Sequence, residues 1–270
     1  MSAPPRIRNL HFDLGAAIPR HWHGGRRSVT TFFDNLSTFF PHGERFFVAT
    51  VRAHERHVAD PALRAAVRAF CGQEGIHGRE HVAYNAMLTA EGYPVAAMER
   101  RVKALLTFVS RVLPKRWQLA ATCALEHFTA LLGQLILERP ELLESADPTM
   151  SALWRWHAAE ENEHKAVAFD VFLAAGGTYP ERVGIMALAT VIFWAKVLEH
   201  QCRMMAVDGT LADAGEWAAL GRFLFVEPGG MLGLGRHYLA YYRPGFHPDD
   251  IDGHAALDAW RRAQETPAGA

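Results

Sequence analysis

The residues of this 270-residue chain best suited to chemistry are its glutamates and histidines. Glu74 and His77 stand three apart inside CGQEGIHGREHVAYN, and His157, Glu161 and His164 stand at i, i+4 and i+7 inside WRWHAAEENEHKAVAFD. On a helix these spacings put side chains on one face, with Cβ atoms about 5–6 Å apart. Two more glutamates, Glu44 in FFPHGERFFVA and Glu126 in ATCALEHFTALL, lie in stretches apolar enough to be buried. The order is Glu, thirty residues, Glu-x-x-His, then Glu, thirty-five residues, Glu-x-x-His. It matches the ligand set of a dinuclear carboxylate site in a helix bundle: one Glu from each of two helices and Glu-x-x-His from each of two others.

The count of motifs carries little weight, because 18 Glu and 15 His in this length supply about one Glu-x-x-His by chance. The weight comes from context, since each pair sits on its own apolar helix and follows another helix with a Glu in an apolar setting. Four carboxylates, Glu44, Glu74, Glu126 and Glu161, neutralise two divalent cations, whereas four bare carboxylates in a dry core are very costly. Mixed oxygen and imidazole donors suit two iron ions, two manganese ions or a mixed pair, and the set lacks the thiolates of structural zinc. His81, one turn beyond His77, and Glu160, beside Glu161, are read as groups that hold the ligands rather than the metal, with a place in the ligand set as the alternative for either. The bland alternatives are solvated i, i+3 pairs for the Glu-x-x-His motifs, a surface charge beside Arg45 for Glu44, and a hydrogen-bonded core histidine for His157.

These residues need helices to carry them. Apolar residues recur at three and four from about residue 30 to Val207, with Pro or Gly at the breaks. The pattern predicts helices near 35–57, 61–90, 97–112, 115–138, 148–175 and 180–207. Asp60-Pro61 and Asp147-Pro148 read as N-caps with Pro at the first helical position. Residues 1–30 read as an extended arm, 31–210 as a metal-binding helical bundle, and 211–270 as a C-terminal helical extension, with a last helix near 249–263 and a frayed tail from Thr266. The fold class expected is all-α. Val183 to Val197 reads as a fully buried helix, with a membrane-facing or partner-facing helix as the alternative: only 13 uncharged residues separate Arg182 from Lys196, short of the ~20 that span a bilayer. No transmembrane segment is therefore expected.

A formal net charge of −1 argues against a nucleic-acid partner. Cys71, Cys123 and Cys202 form no C-x-x-C pair and no disulfide framework. With no signal-like apolar stretch at the start, they point to a reducing cytoplasm. The apolar segments exceed what a four-helix core requires, which suggests a homodimer.

The pattern resembles the ferritin-like di-iron carboxylate superfamily over roughly residues 35–207. His157, completing His-x-x-x-Glu-x-x-His, is similar to the extra histidine of the arylamine (p-aminobenzoate) N-oxygenases. The QEGIHGREH and WHAAEENEHKAVAFD segments also resemble a bacterial family labelled "predicted metal-dependent hydrolase". The resemblance implies a ferritin-like bundle with a metal site formed by Glu44, Glu74, His77, Glu126, His157, Glu161 and His164. It implies an oxygenase that uses O2 and an external electron donor on a small apolar or aromatic substrate, by N-oxygenation, hydroxylation or desaturation. The alternatives are a dinuclear metal-dependent hydrolase and a non-catalytic metal-binding protein.

Overall fold

The computed structural model describes residues 5–15 and 17–265; the tail from Thr266 lies outside the described residues. The chain is all-α, with α1 (Arg27–Ser37), α2 (Phe40–His54), α3 (Pro61–Ala90), α4 (Val95–Val112), α5 (Lys115–Glu138) and α6 (Pro148–His164). They are followed by α7 (Val167–Ala174), α8 (Tyr179–Val207), α9 (Ala214–Phe225), α10 (Met231–Ala240) and α11 (His254–Glu265). Extended pairing among the described residues is limited to one isolated bridge, His23 with Ala146. The architecture is a ferritin-like helical bundle: α2 packs on α3, α5 on α6, α2 on α5 and α3 on α6, closing a ring of four.

Local chemistry sets the helix starts. The Asp60 carboxylate accepts from the Ala62 amide at 2.9 Å, and Asp147 accepts from Thr149 at 2.9 Å and Met150 at 3.3 Å. Each satisfies amides that the first helical turn leaves orphaned. Thr178 and Glu181 form a reciprocal capping box at the start of α8. Gly133 permits the close approach of α5 to α6, since a Cβ there would lie 2.9 Å from the Ala158 carbonyl oxygen.

Three expectations change. The helix expected over 35–57 is two helices, α1 and α2, and α1 begins inside the stretch read as an extended arm. Pro41, near the start of α2, has no N–H to donate and would clash with the preceding turn of a continuous helix. The helix expected over 148–175 is interrupted at Lys165 and Ala166, whose backbone angles stay in the right-handed helical region, so α7 carries on after a break in the hydrogen-bond ladder. The third concerns Val183–Val197, which is not fully buried: Leu188 and Val191 are exposed, Val191 by 69%. Helices α5 and α8 are both long and apolar enough to cross a membrane by length and composition, but α5 is mostly buried in the bundle and α8 mostly is not.

The core brackets a polar layer. Along α3, Leu63, Val67 and Phe70 join one apolar cluster, and Tyr84 and Leu88 join the other. Glu74 and His77 fall between them. Likewise Leu153 and Ala158 of α6 belong to one cluster and Val167 and Phe172 of α7 to the other, with Glu161 and His164 between. Residues 6–12 cross the outside of this layer, where Gln73 Nε2 donates to the Arg6 carbonyl at 3.2 Å and Glu80 accepts from the Phe12 amide at 3.0 Å.

Candidate metal centre

The bundle brings all seven candidate ligands into one buried cluster. Glu44 comes from α2, Glu74 and His77 from α3, Glu126 from α5, and His157, Glu161 and His164 from α6. None is more than 3% exposed. His157 Nε2 lies 3.0 Å from Glu161 Oε1, and His77 Nδ1 lies 3.4 Å from that same oxygen. His164 Nε2 lies 3.1 Å from Glu74 Oε1, 3.4 Å from Glu126 Oε2 and 3.6 Å from Glu161 Oε2. Gly78 leaves room for the first glutamate, since a Cβ there would sit 3.0 Å from Glu44 Oε2.

These are short distances without hydrogen-bond alignment. Ten buried atoms of the seven side chains have no hydrogen-bond partner: both carboxylate oxygens of Glu44, Glu74 and Glu126, Oε2 of Glu161, Nδ1 of His77, and Nε2 of His157 and His164. Buried polar atoms are normally satisfied, so such a concentration of orphans needs a physical cause. Donor atoms of Glu and His that face one another at this spacing fit a cation. Four overlapping triads have ligand atoms within 4.8 Å of one another: Glu44–His81–His157, His77–His157–Glu161, Glu44–Glu74–His77 and Glu74–Glu161–His164.

The other ring nitrogen of each histidine is held from outside. His77 Nε2 meets Glu160 Oε2 at 3.1 Å, His164 Nδ1 meets Gln73 Oε1 at 2.9 Å, and His157 Nδ1 meets His81 Nε2 at 2.8 Å. A partner on one nitrogen fixes the ring and leaves the other for a metal. His81 is thereby occupied at both nitrogens, its Nδ1 lying 2.9 Å from Ser37 Oγ. Glu160 is likewise engaged, with Oε1 accepting from Arg8 at 3.1 Å. Glu160 thus lies behind His77, while His81 both lies behind His157 and belongs to the triad with Glu44 and His157. Gln73 and Arg8 escaped sequence reasoning. The signal for Gln73 was available: it precedes Glu74 as Glu160 precedes Glu161.

The electrostatics are those of a site that needs positive charge. Burial, then the neighbouring Glu74, pushes Glu126 up to about 8. The same two causes raise Glu44 well above the usual carboxylate range, and burial raises Glu74. Burial opposes ionisation of Glu161 too, yet His164, with help from His157 and His77, holds it well below that range. Burial also opposes the charge on His77, but Glu160 and Glu161 hold it up at about 10. Burial, then His77, pulls His157 down to about 4. The upward shifts of Glu44, Glu74, Glu126, His77 and His164 share one sense, that of a buried excess of negative charge which a bound cation would relieve.

A cavity of about 80 Å³ reaches the cluster at His157 and Glu161. Its walls are almost wholly apolar, among them Phe32, Phe33, Phe40, Trp154 and Phe193.

Fold and cluster together define a helix-bundle protein with a buried, multi-His/Glu metal-binding site able to chelate a dinuclear metal. A family model described as "Predicted metal-dependent hydrolase" matches residues 6–252, and the chain belongs to that family. No curated protein and no solved structure matches the chain.

Proposed function

We propose that Glu44, Glu74, His77, Glu126, His157, Glu161 and His164 hold two metal ions, and that the chain is an O2-dependent oxidase or oxygenase of a small apolar or aromatic substrate. The observation that carries the metal assignment is the set of ten orphaned atoms on these seven residues. The apolar cavity at His157 and Glu161 supports the choice of reaction: it offers a hydrocarbon or an arene a dry berth but has few groups to grip a polar ester or phosphate. When bound, a pair of iron or of manganese and iron ions would supply redox chemistry toward O2.

The chain's own contribution is positional. Glu160, Gln73 and His81 fix the rings of His77, His164 and His157. Phe40, packed 4.4 Å from both the His81 and His157 rings, bars water from that side. Electrons would come from an external donor. The deciding experiment loads the protein anaerobically with ferrous iron, measures iron per chain, and then follows O2 uptake. Two irons per chain and stoichiometric uptake are expected, and two irons that never consume O2 would sink the oxygenase reading.

The family's description favours a second reading, a dinuclear metal-dependent hydrolase. That reading predicts cleavage of an ester or amide without O2 or reductant, retained when zinc or manganese replaces iron.

A further inference from the structure

We propose that the apolar substrate is a medium-chain alkyl carboxylate, held head-first at Lys196 with its alkyl chain in a second apolar cavity; this rests on the reading of the cluster as an enzyme site. That cavity, of about 130 Å³, runs between α2, α4, α5 and α8. It is lined by aliphatic and phenylalanine side chains from Phe46 and Leu113 at one end to Val102 and Lys196 at the other. Along α8 it extends from Ile185 to Lys196, roughly 16 Å at 1.5 Å per residue. The shape suits an extended alkyl chain, and the walls give it no polar partner apart from Thr129 and the Lys196 end.

Two observations select the occupant. The first is charge at the rim. Lys196 Nζ, Arg101 and Arg203 approach the single carboxylate of Glu199 at 2.7, 3.0 and 3.0 Å, and all three side chains are partly exposed. Among the described residues these cations make no other ion pair, so the rim keeps an excess of two positive charges. An anionic head group meets that excess, and a cationic one is repelled. The second is continuity with the metal-binding site. Phe39, Phe40, Thr129 and Phe193 line both this cavity and the one that reaches His157 and Glu161. Phe193 is one helical turn from Lys196, so the shared wall lies at the head end. The carbons nearest the carboxylate therefore lie against the wall shared with the cavity at His157 and Glu161, and the far end of the chain lies toward Phe46 and Leu113.

The test is calorimetric titration of octanoate and dodecanoate, below their micelle concentrations, into the full chain, with metal content measured on the same sample. Dodecanoate is expected to bind more tightly, by about fourfold for each added CH2 that the cavity covers. Dodecylamine should bind at least tenfold more weakly than dodecanoate. Lys196→Gln should weaken dodecanoate about fivefold, the worth of one partly exposed charge. Ala189→Trp, which fills the groove from α8, should abolish binding; if it fails to fold, the chain-length series and Lys196→Gln carry the test. Equal binding of amine and acid, or no dependence on chain length, would overturn the proposal. Carboxylate binding by a protein that takes up no metal would instead overturn the metal-site reading and leave the cavity assignment standing.

Discussion

The two halves of the cluster, α2 with α3 and α5 with α6, are built alike and equipped differently. The step along the chain that carries Glu74 onto Glu161 also carries His77 onto His164 and Gln73 onto Glu160. The halves then hold each other: Glu160 grips His77, and Gln73 grips His164. The same step carries Phe70 onto His157. Phe70 packs edge-on against His164 with centroids 4.9 Å apart, while His157 stacks on His77 at 4.3 Å. One half therefore has a spectator ring where the other has a third imidazole. The partner across from His77 is a carboxylate, itself tied to Arg8, whereas the partner across from His164 is a neutral amide. Under the proposed two-metal reading, the doubled framework would hold one ion in each half, and the departures from symmetry would make the two inequivalent. Inequivalent positions suit chemistry in which the two ions play different parts.

The largest expected effect comes from removing the residue common to both halves. Glu161 approaches His77, His157 and His164, so Glu161→Ala should eliminate stoichiometric metal binding, whereas Glu44→Ala should retain at least one ion per chain. Elemental analysis of dialysed protein distinguishes the two outcomes, and equal loss in both variants would break the division into halves. Next in size is His157→Phe, which restores the symmetry by copying Phe70. It should weaken one of two binding steps at least tenfold and leave the other nearly unchanged, as read by metal titration. A uniform effect on both steps would place His157 outside the ligand set.

Smaller again is the exchange of the outer partners. Glu160→Gln should weaken metal binding by about 10–100-fold, the usual cost of losing a group that orients a ligand. Gln73→Leu, which removes the acceptor behind His164, should weaken the other step by a similar factor. Proton competition gives the last and broadest test. His77 and Glu126 both hold protons more tightly in the folded, metal-free chain than an unfolded chain would. Stability of the metal-free protein should therefore fall as pH rises through Glu126 at about 8 and on toward His77 at about 10. Metal displaces those protons, so its affinity should rise over the same range. Thermal melts at about pH 6 and about pH 9, with and without metal, check both signs; a metal-free protein more stable at the higher pH would contradict the assignment.

Most of the site was legible before any coordinates, because helical spacing is local. A separation of three or four positions between Glu and His defines a shared face whatever the helix packs against. The Asp-Pro starts of α3 and α6 were equally local, being settled by a side chain and the amides of the next turn. The repeat also identified which four helices had to meet. Other features depended on residues far apart in the chain. Arg8 reaches Glu160 across 152 positions, and Gln73 reaches His164 across 91, so neither pairing leaves a periodic trace. The exposure of α8 was misjudged for the same reason: an apolar run reports the cost of meeting water, not which neighbours arrive to cover it. The sequence by itself determined the all-α class, the candidate donors and their arrangement in two repeats, all consequences of short-range geometry. Only the tertiary structure decided which ring nitrogen faces the cluster, which half carries the charged partner, and where apolar space opens beside it, since each depends on how distant helices pack.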